Sequence, residues 1–166
     1  MRRFLSSVVL VGLLAGCGFE LRGTQAVNAL GVRAIYLVPT GEYRFDTQLA
    51  RALTVQGGAT VVTSAAGAGL TLDHLIPTQT RIQRAVDATG HAKEYELKYA
   101  LSYRVLGADG VALLDDQVTV IRTMSYSDSL VLAKKQEEAR IFEDMQRDAF
   151  SQLLRRLSRL NAAGNP

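Results

Sequence analysis

The sequence has few of the residues from which disulfides and metal centres are built. It contains one cysteine, two histidines and no tryptophan among 166 residues. A single cysteine cannot form a disulfide within the chain. The histidines, His74 and His91, have no second histidine or cysteine at ligand spacing, which argues against a metal site. We therefore expect a fold that is held together by its apolar core, without metal or disulfides.

The chain also lacks a strong excess of charge of either sign. It has 19 Lys and Arg against 16 Asp and Glu. Arg2 and Arg3 lie in a segment that we expect to be removed, which leaves 17 basic and 16 acidic residues. Such a balance gives no global positive field, so we expect no nucleic-acid partner. Any recognition of anions must come from local clusters.

Long apolar runs are missing except at the start of the chain. Phe4 to Leu14 is mostly apolar and follows the positive Met1-Arg2-Arg3. This run is shorter than the roughly 20 residues that span a bilayer. It is typical of a secretory signal, with small residues before a cleavage site. The sequence predicts a signal peptide over residues 1–16.

The lone cysteine follows that signal directly. Leu14-Ala15-Gly16-Cys17 resembles a bacterial lipobox, in which the thiol of Cys17 is acylated. We expect a diacylglycerol thioether and an N-acyl chain on Cys17, and no other cofactor. Several chains on one residue make a lasting anchor. The alternative is a free, buried thiol. In similar lipoproteins an aspartate after the cysteine commonly signals retention in the inner membrane, so Gly18 implies the outer membrane.

The remaining 150 residues are enough for one domain with its own core. Residues 17–32 have little periodicity, so we expect a tether there. We expect the folded domain over residues 33–161 and a disordered tail over residues 162–166. Local patterns then predict the elements in order. These are a strand at 33–38, a helix at 42–56, a strand at 59–63, long strands at 70–86, 95–105 and 111–126, and a helix at 130–160.

Two patterns fix the predicted architecture. Tyr95, Tyr99 and Tyr103 alternate with polar residues, which predicts a strand with one face on a core. Pro77 interrupts the preceding strand and indicates an edge position or a bend. Burying all the apolar stripes predicts an α+β fold, with two helices on one face of a mostly antiparallel, mixed sheet of four to five strands.

Several short motifs resemble the LptE family of lipopolysaccharide-assembly lipoproteins. These motifs are Cys17-Gly18-Phe19-Glu20-Leu21-Arg22-Gly23, Glu94-Tyr95, Arg122 and Leu132-Ala133-Lys134. The resemblance implies no enzymatic activity. It implies a lipid-anchored protein in the periplasmic leaflet of the Gram-negative outer membrane. There it would plug the LptD β-barrel in a 1:1 complex, assist assembly of that barrel and bind lipopolysaccharide.

The resemblance also implies where lipopolysaccharide binds. Lys134 falls at a basic position that the family uses for this contact, whereas the second such position, in the turn between two long strands, is Ala88 here. Basic side chains near these positions complete the expected set, because phosphates favour lysine and arginine. The predicted lipopolysaccharide-binding residues are Lys134, Lys135, Arg84 and Lys93.

Other interpretations of these residues stay open. The lysines could be solvated residues of an amphipathic helix. The strand arginines could form cross-strand charge pairs on an exposed face, or belong to a polar face that meets the inner wall of a barrel. These are Arg81, Arg84, Arg104 and Arg122. A lipid-anchored periplasmic hydrolase or a generic envelope scaffold are the alternative functions. Asp73-His74, however, lies in a predicted strand without a G-x-S-x-G nucleophile elbow.

Overall fold

The computed structural model describes residues 30, 31 and 34–163, with side chains through residue 160. Five strands and two helices make up this part of the chain. They are β1 (Ala34–Leu37), α1 (Tyr43–Val55), β2 (Thr60–Val62), β3 (Leu70–Val86), β4 (Ala92–Gly107), β5 (Ala112–Ser125) and α2 (Val131–Ala163), with a 3₁₀ turn at Asp128–Leu130 before α2. The predicted signal peptide, Cys17, Gly18 and the tether up to residue 29 lie outside the described residues.

The sheet has the strand order β2-β1-β3-β4-β5. Strand β2 and the start of β3 both pair with β1 in parallel, while the three long strands β3, β4 and β5 pair antiparallel. Helix α1 provides the crossover between β1 and β2. The predicted α+β class, with two helices and a mixed sheet, is confirmed.

The core lies between the helices and one face of the sheet. The alternating residues of β4 form its centre, and Tyr99 and Tyr103 are completely buried there. Helix α2 covers them with a stripe of apolar residues from Phe142 to Leu157. The two helices meet at Phe45 and Phe150, whose rings pack edge to face at 5.4 Å. No helix of the described residues lies on the opposite face of the three long strands, and we call this the open face.

Strand β3 bends where it leaves β1. The pairing register with β4 shifts between Asp73 and Ile76, and His74 adopts a positive φ of 49°. Such a bulge inserts an unpaired residue and increases the local twist. Within β3, strand β1 pairs only with Leu70–Leu72. Within the described residues, the outer edge of β3 is therefore unpaired beyond this point, where Pro77 removes no ladder hydrogen bond.

The long strands continue past the core. Every residue of β3 from Thr78 to Val86 is exposed, and so are most residues of the first ten of α2. Thus the β3–β4 hairpin and the start of α2 project together. We call this region the distal end, comprising the turn Asp87–His91, the connection Tyr126–Leu130 and the first turns of α2. The other end of α2 runs to Ala163, two residues into the segment predicted as a tail.

Candidate functional site

The turn at the tip of the β3–β4 hairpin is organised by Asp87. Its Oδ1 accepts hydrogen bonds from the Thr89 N–H at 2.9 Å, the Thr89 hydroxyl at 2.5 Å and the His91 N–H at 3.0 Å. Gly90 supplies the positive φ of +86° that closes the turn. The bonds from Thr89, followed by that from His91, lower the pKa of Asp87 to about 2. The tip is therefore a fixed, negatively charged turn.

The connection between β5 and α2 packs beside this tip. The Tyr126 N–H donates to the Lys93 carbonyl at 2.8 Å, which continues the β4–β5 ladder. His91 Nδ1 lies 3.8 Å from a carboxylate oxygen of Asp128. A shallow cavity of about 170 Å³ separates the two segments and is lined by Asp87, His91, Lys93, Tyr126 and Asp128 together with three small residues. Its lining mixes acidic and basic groups.

Lys134 lies at the start of α2 and leans against the sheet. Its ammonium donates to the Glu137 carboxylate at 2.8 Å and to the Ser125 hydroxyl at 3.3 Å. Only 14% of its side chain is exposed. An ammonium has three donors, so these two contacts leave one proton for an external acceptor. The lysine is thus held in place at the end of β5 rather than freely solvated.

The other three predicted residues occupy the same end of the molecule in different settings. Lys93 is exposed at the start of β4, and Lys135 is exposed on α2 beside Lys134. Arg84 sits near the end of β3 on the open face, where it donates to Glu96 at 2.7 Å. The structure therefore places all four predicted residues at or beside the distal end. They are spread around it and do not converge on one pocket.

The distal end also carries exposed apolar side chains. Leu130, Val131 and Leu132 lead into α2, and Leu132 is 73% exposed. Val86 is exposed at the end of β3, next to the turn. Single exposed apolar residues are normal, whereas several at the same end of a domain favour an interaction site there. The sequence patterns assign no role to these residues, although Leu130-Val131-Leu132 is visible as an apolar run outside the α2 stripe.

Arg81 holds the projecting part of α2 against the sheet. Its guanidinium lies 3.9 Å from the centre of the Tyr95 ring and 5.7 Å from that of Tyr126. The same group donates to Glu138 on α2 at 2.9 Å. The two tyrosine rings meet edge to face at 5.1 Å. We call these four residues the Arg81 clamp; it was not anticipated from sequence, because its partners are far apart in the chain.

The strand arginines divide between the two faces of the sheet. Arg84 and Arg104 lie on the open face and form cross-strand pairs with Glu96 and Asp73. These two arginines therefore match the interpretation of cross-strand charge pairs on an exposed face. The hydrogen bonds from Arg104 hold the pKa of Asp73 below its usual value. Arg81 and Arg122 lie on the helix-covered face instead. There they bind Glu138 and Asp148 of α2, so they fasten the helix to the sheet.

Two kinds of feature are absent from the part of the chain that the structure describes. No group of three or more His, Cys, Asp or Glu side chains in residues 30, 31 and 34–163 is arranged to hold a metal ion. None of the helices in the same residues is long and apolar enough to cross a membrane.

Solved structures place this arrangement among bacterial lipoproteins. The chain is similar to lipoprotein B from Nitrosomonas europaea, solved by NMR, with a TM-score of 0.73 and 28% identity over 89% of this chain and 94% of that one. It also shares the fold of rare lipoprotein B from Shewanella oneidensis, with a TM-score of 0.69 and 21% identity over 79% of this chain and 98% of that one. The chain therefore has the fold of these bacterial lipoproteins.

Sequence comparison narrows this class to one family. The LptE family model, described as lipopolysaccharide-assembly, matches residues 28–157. The LPS-assembly lipoprotein LptE of Pectobacterium atrosepticum is 30% identical over 98% of this chain and 90% of that protein. The chain belongs to the LptE family. It is accordingly a non-enzymatic lipopolysaccharide-assembly lipoprotein, associated with the outer membrane of a Gram-negative bacterium. The hydrolase alternative is set aside.

Proposed function

We propose that this protein plugs the LptD β-barrel, assists its assembly and binds lipopolysaccharide at the distal end during insertion into the outer leaflet. In this proposal an acylated Cys17 holds the protein in the periplasmic leaflet of the outer membrane. The observation that carries the binding step is the joint presence of ammonium groups and exposed apolar side chains at the distal end. Lipopolysaccharide offers both matching chemistries, phosphates and acyl chains.

The four basic residues contribute unequally in this proposal. Lys93 and Lys135 are exposed and reach an external phosphate without losing a contact. Lys134 is prepositioned, and a phosphate would take its remaining donor or replace Glu137. Arg84 already binds Glu96 on the open face, so we expect it to contribute least. The apolar residues around Leu132 would accept part of an acyl chain.

The open face is the surface that we propose for the barrel wall. Its side chains are mainly hydroxyl, amide and paired charged groups, among them Thr80, Lys98, Ser102, Gln117 and Thr119. Porin-type barrels have polar interiors, and such a face is compatible with them. Ile76, Ile82 and Ile121 are exposed on the same face and would add apolar contacts.

Binding of purified lipopolysaccharide to the mature protein tests the distal end. Lys93→Glu, Lys134→Asp and Lys135→Glu should each weaken binding about tenfold, the worth of one charge-assisted hydrogen bond. Lys98→Glu on the open face is the matched control, and its affinity should be unchanged. Unaltered affinity in all three distal variants, with unaltered melting curves, would contradict the proposed binding site.

Co-purification tests the plug. The tagged mature protein is extracted from its native envelope in mild detergent, and its partners are identified by mass spectrometry. We expect a large β-barrel protein in near 1:1 amount. Recovery of the lipoprotein alone, folded and abundant, would contradict the plug and favour an independent scaffold.

A further inference from the structure

Two segments at the end of the domain remote from the distal end contain basic residues and no acidic ones. Residues 47–72, which follow the first turn of α1, contain Arg51 and no Asp or Glu. The last part of α2, residues 149–163, contains Arg155, Arg156 and Arg159 and again no acid. The acidic residues from Asp73 onward lie in β3, β4, β5, their connections and the part of α2 up to Asp148. The ends of α1 and α2 therefore carry only basic charged side chains, whereas the neighbouring end of the β4–β5 hairpin carries Asp109, Asp115 and Asp116.

These two basic segments pack side by side. A groove of about 290 Å³ runs between the end of α1 and α2 and is lined by Gln56, Ser151, Leu154 and Arg155, among others. Gln56 also lines the neighbouring cleft, of about 430 Å³, which contains Arg51 together with Arg147 and Glu143 of α2. Arg155 and Arg159 are four residues apart and so share one side of α2. We call Arg51, Arg155 and Arg159 the arginine end.

The arginines of this end are available to an outside partner. Arg156 binds Asp116 and takes no part in the arginine end. No carboxylate in the described part of the chain forms an ion pair with Arg51, Arg155 or Arg159. At the distal end, by contrast, Arg81, Arg84 and Lys134 all have carboxylate partners. Val55 adds an apolar side chain, 64% exposed, beside Arg51.

The chain enters the domain at the arginine end. Leu30 is buried there, its N–H donates to the Gly57 carbonyl at 3.3 Å, and its side chain occupies space that a Cβ on Gly57 would fill. Twelve residues separate Leu30 from Cys17. Fully extended, they reach about 40 Å. The first turns of α2 lie roughly 30 Å from Arg155 along the helix axis, so the point where the chain enters the domain lies beside the arginine end and a helix length from the distal end.

We infer that the arginine end is a membrane-contact surface, at which Arg51, Arg155 and Arg159 bind the anionic headgroups of phospholipids in the leaflet that carries the anchor. Basic residues near an anionic bilayer each contribute to binding at short range. The contact would hold the arginine end at the headgroups of that leaflet, with the distal end about a helix length away. This inference rests on the proposed anchor at Cys17, but not on the lipopolysaccharide or barrel contacts.

The test uses the lipidated mature protein in vesicles of phospholipid alone, after mass spectrometry has confirmed acylation of Cys17. A fluorophore on Thr54→Cys reports the arginine end, and one on Thr123→Cys reports the open face. Quenchers on the lipid headgroups measure how close each site lies to the bilayer. We expect strong quenching at position 54 and weak quenching at position 123 in phosphatidylglycerol vesicles, with the difference lost at high salt.

Charge reversal separates this contact from simple tethering. The oriented state is the one in which position 54 is quenched more strongly than position 123. The double variant Arg155→Glu, Arg159→Glu should reduce the ratio of oriented to unoriented protein by at least about fivefold for each arginine. Lys98→Glu with Arg140→Glu is the matched double reversal, and it should leave the quenching unchanged. Equal quenching at both labelled sites, or quenching at position 54 that survives the arginine reversal, would overturn the inference. Neither outcome bears on lipopolysaccharide binding, since the vesicles contain none.

Discussion

Tyr99 and Tyr103 lie on the same face of β4 and are both completely buried, yet their hydroxyl groups differ in what they meet. The Tyr103 hydroxyl lies 3.4 Å from Arg156 Nη1. The Tyr99 hydroxyl has no hydrogen-bond partner among the described residues. Burial raises the pKa of both phenols, and Arg156 moderates the rise at Tyr103. Substitutions at these two residues therefore distinguish the contribution of a buried ring to stability from the contribution of its hydroxyl group.

Removing each hydroxyl should have opposite effects on stability. Tyr99→Phe removes a buried polar group without a partner, so the free energy of unfolding should stay the same or rise by about 1 kcal/mol. Tyr103→Phe removes a partner of Arg156 and should lower it by about 1 kcal/mol. Urea denaturation of the two variants measures both values. A loss of stability in Tyr99→Phe as large as that in Tyr103→Phe would show that the Tyr99 hydroxyl has a partner.

Removing the whole Tyr99 ring should be far more costly. Tyr99→Ala leaves a cavity at the centre of the core, and we expect a loss of about 3–5 kcal/mol, by analogy with other large aromatic truncations. Tyr43→Ala is the matched control, because Tyr43 on α1 is 82% exposed. Its effect should stay within about 0.5 kcal/mol. Similar losses in the two variants would contradict the placement of the β4 stripe in the core.

The Arg81 clamp should control the projecting part of α2. Arg81→Met removes the guanidinium from Tyr95 and Tyr126 and its ion pair with Glu138, at a cost of about 1 kcal/mol. Amide exchange measured by mass spectrometry should become faster in Val131–Ile141, while the segment that covers the core keeps its protection.

Arg84→Met provides the control for the clamp. Arg84 also pairs with a glutamate, but on the open face and without contact to α2. Its removal should therefore leave exchange in Val131–Ile141 as it is in the unaltered protein. Faster amide exchange in Val131–Ile141 in both variants, or in neither, would show that the Arg81 clamp does not hold the helix.

The sequence could predict the elements because most of them bury one periodic face. Alternation in β4 and the apolar stripe of α2 follow directly from the period of each structure, and both are found in the core. The partners of individual charged residues could not be predicted in this way. Arg81 meets Glu138, 57 residues away, only through a register that depends on the bulge at His74.

The candidate site shows the same limit. Resemblance identified Lys134 as a basic position, but not that Glu137 and Ser125 would hold its ammonium. That fact depends on where β5 ends relative to α2, which no local pattern specifies. The apolar run Leu130-Val131-Leu132 was visible in the sequence, and only the structure shows that it is exposed.

The hairpin tip should respond to acid through Asp87. Because its folded pKa of about 2 lies below the usual 3.8, its carboxylate stabilises the folded turn fully above pH 3.8. That contribution is lost as the pH falls towards 2. Carbon NMR of the Asp87 carboxyl should show this low midpoint directly. Thr89→Val removes the hydroxyl donor but keeps the N–H donors, so the midpoint should rise part of the way towards 3.8. Thr123→Val, on the open face, should leave it unchanged, and a midpoint near 3.8 in the unaltered protein would contradict the hydrogen-bonded turn.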